Sequence, residues 1–253
     1  MNELTYSIVI PAYNEADKIA STITQVISFM QTFAPNFELI VVDDGSSDTT
    51  TNIVEGFVAE YTQLKLIKNP HRGKSYSVWT GINAAQGELI YLADADLSAP
   101  ITELKKLSVW VKEQGYDIVI ASREGTGAQR VSEPIYRHLI GRAFNLWVQA
   151  VALPGIRDSQ CGFKLFRKNA AKDIFERLKI YGGEAKEIKA AFFGAFDVEV
   201  LYIARKLKYK IKEVPVIWVY VKTTRLNLFQ NSIRMALDVL KIRINDLKGV
   251  YKL

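Results

Sequence analysis

The 253-residue chain has one cysteine, Cys161, and therefore no internal disulfide. A single thiol is typical of a protein kept in a reducing compartment such as the cytoplasm. The sequence also has no uninterrupted apolar run of the ~18 residues that a membrane-spanning helix requires. Its first apolar run is short and ends at Pro11, which is unlike a secretory signal peptide. These absences predict a cytoplasmic protein without a membrane-spanning helix.

Histidine and cysteine form no cluster that would predict a zinc site. Positive charge is concentrated at one end: residues 201–253 hold 12 Lys/Arg and 3 Asp/Glu, a charge of +9, whereas the remaining residues hold 21 and 24, a charge of −3. A basic end on a near-neutral body indicates an anionic partner surface, and the alternative is an ordinary solvated helix face. Phospholipid and nucleic acid both offer such a surface. Because no recognition helix or aromatic platform is present, we expect no nucleic-acid partner.

The first half of the chain alternates short apolar segments with segments of helical length. The apolar segments are rich in Val, Ile and Leu with little polar alternation, as expected of strands covered on both faces. We predict strands over residues 7–11, 37–43, 64–68, 88–93 and 117–121, and helices over residues 16–32, 48–61, 74–85 and 101–114. This order predicts an α/β fold with a doubly wound, mostly parallel sheet, in which ligands bind beyond the carboxyl ends of the strands.

The second half is less regular. It predicts helices over residues 133–153, 196–207 and 226–247 and strands over residues 160–166 and 212–221. The first and last of these helices are amphipathic, with apolar residues on one side and Lys and Arg beside them. This pattern is typical of a helix that lies in a membrane interface, and the alternative is a helix that faces a soluble core.

Two carboxylates follow the fourth predicted strand, in the sequence Asp94-Ala95-Asp96. Residues i and i+2 of an extended chain point to the same face, so both carboxylates would converge on one hard cation. Oxygen ligation by few protein groups predicts Mg²⁺ or Mn²⁺, with coordination positions left for water and phosphate. The alternative is a turn that binds nothing. We predict that Asp94 and Asp96 hold a metal that grips a phosphate.

Polar residues also follow the other predicted strands, and a parallel sheet brings these strand ends to one edge. Asp43 ends the second strand, where its carboxylate accepts hydrogen bonds from a base or ribose, from the next helix, or from both. Lys74 lies at a predicted helix N-terminus, where it would neutralise a phosphate unless it is an ordinary exposed lysine. Glu15 either joins this site or is a first-turn carboxylate favoured by the helix dipole.

Four motifs, in chain order, resemble the nucleotide-sugar domain of the family 2 glycosyltransferases: IVIPAYNE (8–15), VVDDGSSD (41–48), GK (73–74) and DAD (94–96). Three further segments resemble a narrower group, the dolichyl-phosphate sugar synthases: ASR (121–123), DSQCGFKLF (158–166) and FDVE (196–199). The second of these is most similar to the glucosyltransferase branch. The resemblance covers residues 6–240, nearly the whole chain.

The resemblance implies a GT-A-type fold and a metal-dependent, inverting transfer of a hexose to a polyprenyl phosphate such as dolichyl phosphate. Glucose is favoured and mannose comes next, so the donor would be UDP-glucose or GDP-mannose with Mg²⁺ or Mn²⁺. By position, the base and ribose would contact Pro11, Ala12, Tyr13, Glu15 and Asp43, and the diphosphate would contact Lys74, Asp94, Ala95 and Asp96, with the metal chiefly on Asp96.

The same resemblance implies one catalytic glycosyltransferase domain over residues 1–225 and a basic amphipathic helix over residues 226–253. Within that domain, residues 1–125 would be the nucleotide-sugar half and residues 126–225 the acceptor half. Many relatives carry transmembrane helices after the catalytic domain, and this sequence predicts none. We therefore expect peripheral contact with the cytoplasmic face of the membrane, or contact through a membrane-protein partner.

A phosphate acceptor changes what the site must supply. A phosphate monoester has a second pKa of about 6, so near pH 7 it is mostly a dianion and needs cations more than a general base. The planar fork of arginine suits phosphate oxygens. The chain after the fifth strand offers Arg123, Arg130, Arg142, Arg157 and Lys164, and of these we favour Arg123, Arg130 and Arg142, with Lys164. If the acceptor is a hydroxyl, Asp197 is the candidate base. Otherwise Asp197 positions arginines or caps the helix that follows.

Two alternatives to a lipid glycosyltransferase stay open at this point: a soluble family 2 enzyme with a sugar or protein hydroxyl acceptor, and a non-catalytic nucleotide-sugar-binding protein. A signalling receiver is excluded, because its acidic pair must follow the first strand. Here the first strand ends in Pro11-Ala12-Tyr13.

Overall fold

The computed structural model describes residues 5–183, 194–221 and 228–251. The strands in these ranges, in chain order, are β1 (Tyr6–Ala12), β2 (Phe37–Asp43), β3 (Leu64–Lys68), β4 (Leu89–Leu92), β5 (Ile118–Ser122), β6 (Gln129–Val131), β7 (Lys164–Arg167), β8 (Ile211–Pro215) and β9 (Ile217–Val219). Seven of them form one sheet in the order β3-β2-β1-β4-β7-β5-β8, and β6 pairs with β9 in a second, small sheet.

Most strands of the large sheet run in one direction. β1 is parallel to β2 and β4, β2 is parallel to β3, and β5 is parallel to β8, whereas β7 is antiparallel to both of its neighbours. The predicted α/β fold with a mostly parallel sheet is therefore confirmed. Because β1 to β5 share one direction, their carboxyl ends lie at the same edge of the sheet, where the sequence predicts the site.

The helices of the described ranges are α1 (Ile19–Phe33), α2 (Thr50–Glu60), α3 (Lys74–Ala84), α4 (Leu104–Lys112), α5 (Ile135–Val151), α6 (Lys168–Glu176), α7 (Phe196–Lys206) and α8 (Leu228–Leu247), and a 3₁₀ turn over Ile101–Glu103 leads into α4. Helices cover both faces of the sheet and bury two apolar clusters. Along β1, Ile8 and Ile10 belong to one cluster and Val9 to the other, as strand alternation requires.

The predicted strands and helices of the first half are confirmed, with ends shifted by at most three residues. The second half departs from prediction in two strands. The strand expected from residue 160 begins only at Lys164, and the strand expected over 212–221 divides at Val216. Pro215 has no N–H to continue the ladder, and the chain then pairs with β6 instead of the main sheet. The sequence analysis did not predict β6 or α6.

Helix α8 packs on α5 and is tied to the body of the molecule through tyrosines. The Trp147 indole N–H of α5 donates a hydrogen bond to the Ala236 carbonyl of α8 at 3.3 Å. The Tyr181 hydroxyl contacts the Asp238 carboxylate, and the Tyr251 hydroxyl donates to buried Glu199 at 2.6 Å.

The start of the helix predicted over 226–247 falls partly outside the described residues, at 226 and 227, and the division of the chain at residue 225 stays a prediction. Within the described ranges, no helix combines the length and the apolar character needed to cross a bilayer.

Candidate active site

A single asparagine joins the carboxyl ends of β1 and β2. Asn14 has a left-handed φ of 53°, and its Oδ1 accepts hydrogen bonds from the backbone N–H groups of Ser47 (2.8 Å) and Asp48 (3.3 Å). The next residue, Glu15, donates its own N–H to the Thr50 hydroxyl at 2.8 Å. The two loops that follow these strands therefore form one hydrogen-bonded unit, which fixes where Glu15 lies.

The predicted base-pocket residues Pro11, Ala12 and Tyr13 lie at this edge. Pro11 and Ala12 end β1 beside β2 and are buried. The Tyr13 ring is half-buried and stacks on the His71 ring, with centroids 4.0 Å apart and planes 10° from parallel. Stacked aromatic faces of this kind suit a nucleotide base. The sequence analysis did not predict His71, because nothing local shows that the loop after β3 reaches Tyr13.

The two aspartates that follow β2 shape loops. Asp43 accepts hydrogen bonds from the Ser46 N–H (3.1 Å) and the Thr51 hydroxyl (2.6 Å) at the start of α2. Asp43 thus holds the loop before α2 without capping the helix, whose N-cap is Thr49, and its contact with base or ribose stays a prediction. Asp44, the other aspartate of this pair and an alternative ligand contact in the sequence, accepts the Gly73 N–H at 2.9 Å and lies 2.8 Å from His71 Nδ1. It therefore holds the loop that carries Lys74.

The Asp94-Ala95-Asp96 segment lies in a turn beyond the end of β4. The expectation of an extended segment is wrong, because β4 ends at Leu92 and the Leu97 N–H closes a turn on the Asp94 carbonyl at 3.1 Å. Leu97 has a φ of 44°, a conformation that costs a bulky residue about 1–3 kcal/mol and is concentrated at functional sites.

The Thr22 hydroxyl of α1 donates a hydrogen bond to the Ala95 carbonyl at 2.6 Å and so holds this turn against α1. Both carboxylates therefore stay close together although the segment is not extended.

Lys74, Asp94 and Asp96 form a compact charged group. The Lys74 ammonium forms an ion pair with Asp94 Oδ1, and the Ser98 N–H donates to Asp96 Oδ1 at 2.9 Å. Burial and the neighbouring Asp94 charge raise the pKa of Asp96, although Ser98 and Lys74 oppose this. Burial alone lowers the pKa of Lys74, but the charges of Asp94, Asp197 and Asp96 raise it above its usual value.

These carboxylates fit a hard divalent cation. A cation beside two neighbouring carboxylates offsets the repulsion between their charges, and Mg²⁺ and Mn²⁺ bind through one or two carboxylates completed by phosphate and water. Among the residues that the structure describes, no group of three His, Cys, Asp or Glu side chains forms a complete protein cage. The pair therefore suits a metal shared with a diphosphate, and its binding stays a prediction.

The segment 158–162 brings the second half of the chain against Asp94. A Cβ atom at Gly162 would overlap the Asp94 carboxylate, so only glycine lets the backbone approach this closely. The segment before β7 therefore lies directly against the carboxylate of Asp94, and its part in a shared site stays a prediction.

Lys164 and Asp197, both predicted site residues, form a buried ion pair beneath that segment. The Lys164 side chain is 1% exposed and also donates to the Cys161 carbonyl. Asp197 is the second residue of α7, whose N-cap is Ala195, so the capping alternative for Asp197 is wrong. Lys164 therefore meets Asp197 directly, and its contact with an acceptor phosphate stays a prediction.

The three arginines predicted to bind the acceptor line one cavity of about 210 Å³. Arg123, Arg130 and Arg142 are joined there by two arginines that the sequence analysis did not select for this role, Arg137 and Arg157. The positive charge comes from the consecutive segments β5–β6 and α5 and from the loop after α5. Guanidinium groups gathered in this way suit a phosphate, and the binding of an acceptor phosphate here stays a prediction.

Arg123 is the most firmly held of these arginines. Its Nε and Nη2 donate to the two oxygens of Asp158 at 2.8 and 2.7 Å, and its guanidinium lies 5.3 Å from the Trp218 ring centroid. Burial raises the pKa of Asp158, but the charge and hydrogen bonds of Arg123 lower it below its usual value. Asp158, ambiguous in the sequence, thus positions Arg123.

Two glutamates in the cavity pair with the other arginines. Glu124 Oε1 lies 2.6 Å from Arg130 Nη2, and Glu124 Oε2 lies 3.4 Å from Arg142 Nη1. Glu133 Oε2 lies 2.5 Å from Arg130 Nη1. The sequence analysis missed both glutamates, because a carboxylate among arginines is recognised only when the fold brings them together.

Helices α5 and α8 border the same cavity and leave apolar side chains in solvent. The cavity is lined partly by Phe144 of α5 and Met235 of α8. The exposed apolar residues of the two helices are Ile135, Tyr136, Leu139, Ile140, Leu146, Trp147, Ile233, Leu237, Ile244 and Leu247. Only some of the apolar residues predicted along one side of α5 face the core, where Val148 is buried. Exposed apolar residues gathered on two packed helices are typical of a surface that contacts another molecule or a membrane, and such contact stays a prediction.

Comparison with known proteins agrees with this geometry. Residues 7–175 match the sequence profile described as Glycosyl transferase family 2. Dolichyl-phosphate beta-glucosyltransferase of Homo sapiens is 33% identical over 263 residues, which cover 98% of this chain and 77% of that protein. The enzyme of the same name from Dictyostelium discoideum is 30% identical over 266 residues, covering 100% of this chain and 78% of that protein.

Solved structures share the fold at lower identity. Mannosyl-3-phosphoglycerate synthase from Rubrobacter xylanophilus matches with a TM-score of 0.68 at 18% identity, covering 98% of this chain and 76% of that one. Mannosyltransferase PcManGT from Pyrobaculum calidifontis, in complex with GDP-Man and Mn²⁺, matches with a TM-score of 0.60 at 18% identity, covering 93% of this chain and 64% of that one. At this identity the likeness concerns the fold alone.

Proposed function

Because the chain belongs to glycosyl transferase family 2 and is a glycosyltransferase with the GT-A fold, we propose that it transfers glucose from a nucleotide diphosphate sugar to a polyprenyl phosphate of the dolichyl type. The observation that carries this proposal is the arginine-lined cavity beside α5 and α8. It places cationic groups for a phosphate next to apolar surface for a lipid chain. The names of the relatives that match nearly the whole chain support the same substrates.

The reaction forms one bond and breaks one bond. An oxygen of the acceptor phosphate attacks C1 of glucose from the side opposite the leaving group, and the bond between C1 and the diphosphate oxygen breaks. The acceptor becomes a phosphodiester, and the nucleoside diphosphate departs with the electron pair of the broken bond. No proton has to move, because the acceptor is already a dianion near pH 7.

Asp94, Asp96 and Lys74 would act on the leaving group. Asp94 and Asp96 would hold a divalent metal, which would supply positive charge beside the departing diphosphate. Lys74 lies at the N-terminus of α3, where backbone N–H groups and the helix dipole also favour phosphate. UDP-glucose with Mg²⁺ or Mn²⁺ is the favoured donor, and GDP-mannose comes next. Solved structures with the same fold hold GDP-Man with Mn²⁺ in one enzyme and UDP-Glc with Mn²⁺ in another.

The acceptor arginines would hold the phosphate and orient it towards C1. Arg123 is pre-positioned by Asp158, and Arg130 and Arg142 face the same cavity. Asp197 fits a general base less well, because its carboxylate is buried and already paired with Lys164. A phosphate acceptor therefore fits these residues better than a hydroxyl acceptor does.

The exposed apolar faces of α5 and α8 would place the enzyme on a membrane. Leu139, Leu237 and Leu247 are 61%, 59% and 73% exposed, too much apolar surface on one pair of packed helices for ordinary solvent contact. Arg234 and Lys241 of α8 are exposed beside them and would contact anionic headgroups. We place this contact at the cytoplasmic face, as a peripheral one.

A donor panel tests the proposal. The purified chain is incubated with citronellyl phosphate, a short polyprenyl phosphate, and with each common nucleotide sugar, in Mn²⁺, in Mg²⁺ or in excess chelator. The expected product is the glucosyl phosphodiester, detected by mass, from UDP-glucose and only with metal. Absence of a lipid product with every donor, while sugar or peptide hydroxyls become glycosylated, would overturn the lipid acceptor.

A further inference from the structure

Glu124 bridges two arginines of the cavity in the way that a phosphate would. One of its oxygens lies 2.6 Å from Arg130 and the other 3.4 Å from Arg142. A carboxylate with each oxygen on a different guanidinium reproduces two oxygens of a phosphate held between the same groups. In the structure, Glu124 therefore occupies the position in which a phosphate would meet Arg130 and Arg142.

The surroundings of Glu124 allow it to leave. Its side chain is 18% exposed, whereas that of Glu133 is 7% exposed. Glu124 lies in the loop after β5, directly before Gly125, which has a φ of 97°, and a Cβ atom added at Gly125 would come no closer than 3.7 Å to Pro215, so the backbone there is not tightly packed. Glu133 keeps a second contact on Arg130 through Nη1, so Arg130 stays in place when Glu124 moves.

We propose that Glu124 is a built-in competitor for the acceptor phosphate: it holds Arg130 and Arg142 when the site is empty, and it is displaced by the incoming phosphate. This inference rests on the proposed function, because it assumes that the cavity binds the acceptor. On departure of the product, Glu124 returns to the arginines and opposes rebinding.

The charges of the ligands explain why such a competitor is useful. The acceptor is mostly a dianion near pH 7, and the phosphodiester product carries one negative charge. Several arginines in one pocket would bind both tightly, and slow product release would limit turnover. A tethered carboxylate loses no translational freedom on binding, so it weakens the affinity for either ligand by the same factor. The product, which binds less tightly from the start, then leaves readily.

A binding experiment that needs no turnover tests this. Citronellyl phosphate and its methyl phosphodiester are titrated calorimetrically into the wild type, Glu124→Gln and Glu133→Gln. Glu133→Gln is the matched control, because it removes the same charge from the same arginine without removing the bridge. We expect Glu124→Gln to bind both compounds about tenfold more tightly, the size of one lost charge-assisted contact. We expect the change in Glu133→Gln to be far smaller.

The sign of the change separates the outcomes. Weaker or unchanged binding in Glu124→Gln would show that Glu124 only holds the arginines in place. Equal tightening in Glu124→Gln and Glu133→Gln would show that removal of any negative charge from the cavity strengthens binding. Either result overturns the inference. If the wild type binds neither compound, the proposed acceptor site itself is wrong. In turnover we expect Glu124→Gln to lower KM and kcat together, and an unchanged KM would contradict displacement.

Discussion

Lys164 of β7 and Asp197 of α7 form an ion pair in the interior, with side chains 1% and 7% exposed. The Asp197 charge also raises the pKa of Lys74, which is paired with Asp94. Positive and negative side chains therefore alternate in space, from Lys164 and Asp197 to Lys74 and then to Asp94 in the turn proposed to hold the metal. We predict that Asp197 acts as a positioning residue.

Asp197→Asn tests that role. We expect the variant to be less stable by about 3–5 kcal/mol, because the Lys164 ammonium is left buried without its partner. With a phosphate acceptor the shape of the pH–rate profile should be retained, since no proton is abstracted. Urea unfolding and pH-dependent kcat/KM provide the two measurements.

The double variant Lys164→Met, Asp197→Asn is the control for Asp197→Asn, because it removes both buried charges and should recover part of the lost stability. A folded Asp197→Asn protein without activity at any pH would identify Asp197 as a general base.

Asp96→Asn tests the metal site. We expect kcat/KM to fall by at least about a hundredfold, because a bound metal supplies several kcal/mol of charge stabilisation, while far-UV circular dichroism stays unchanged. Mn²⁺ binding in the presence of UDP, followed by electron paramagnetic resonance, should be lost. Asp17→Asn, at an exposed aspartate, is the matched control and should behave as the wild type. Unchanged Mn²⁺ binding in Asp96→Asn would contradict the assignment.

Arg123→Met tests the pairing with Asp158 through pH. Arg123 lowers the pKa of Asp158 in the folded protein below its usual value. The ion pair therefore stabilises the fold at pH values above the pKa that Asp158 has in the unfolded chain. This stabilisation is lost as the pH falls through the pKa of Asp158 in the folded protein. Without Arg123, Asp158 is a buried, unpaired carboxylate that takes up a proton more readily. We expect a deficit of about 3 kcal/mol at pH 7 that shrinks towards acid pH. A deficit independent of pH in urea unfolding would show that packing alone is lost.

Leu139→Glu and Leu237→Glu test the membrane surface. Each removes an exposed leucine from α5 or α8, and burial of one leucine contributes about 1.5–3 kcal/mol, so binding to anionic vesicles should weaken by tenfold or more. Co-sedimentation with phosphatidylserine vesicles measures this. Val109→Glu, at an apolar residue of α4 that is 42% exposed, is the matched control. Equal loss of binding in all three variants would show a charge effect unrelated to α5 and α8.

The sequence was sufficient to predict the features that depend on strand direction. Five strand ends fall at one edge because β1 to β5 run in parallel, and Asp94, Asp96 and Lys74 were found there by position alone. The conformation of Asp94-Ala95-Asp96 was not predictable in the same way. It depends on contacts such as the one from Thr22, which is 73 residues away.

The features missed by the sequence analysis depend on tertiary contacts of charged groups. The pairing of Glu124 with Arg142 requires α5 to pack beside the loop after β5, and no local pattern specifies that. The partner of Lys164 lies 33 residues further on, on another element. Rules based on sequence spacing predict contacts between neighbours on one helix or on paired strands. They do not predict an ion pair between residues that only the tertiary fold brings together.

The central claim is that a phosphate held by arginines is the nucleophile, and a matched acceptor pair tests it most directly. Initial rates of glucose transfer from UDP-glucose with Mn²⁺ are measured for citronellyl phosphate and for citronellol, which differ only in the phosphate. We predict transfer to the phosphate and none to the alcohol, with the phosphate rate lowered in Arg142→Gln. Transfer to citronellol at a comparable rate, or a phosphate rate unaffected by Arg142→Gln, would contradict this account.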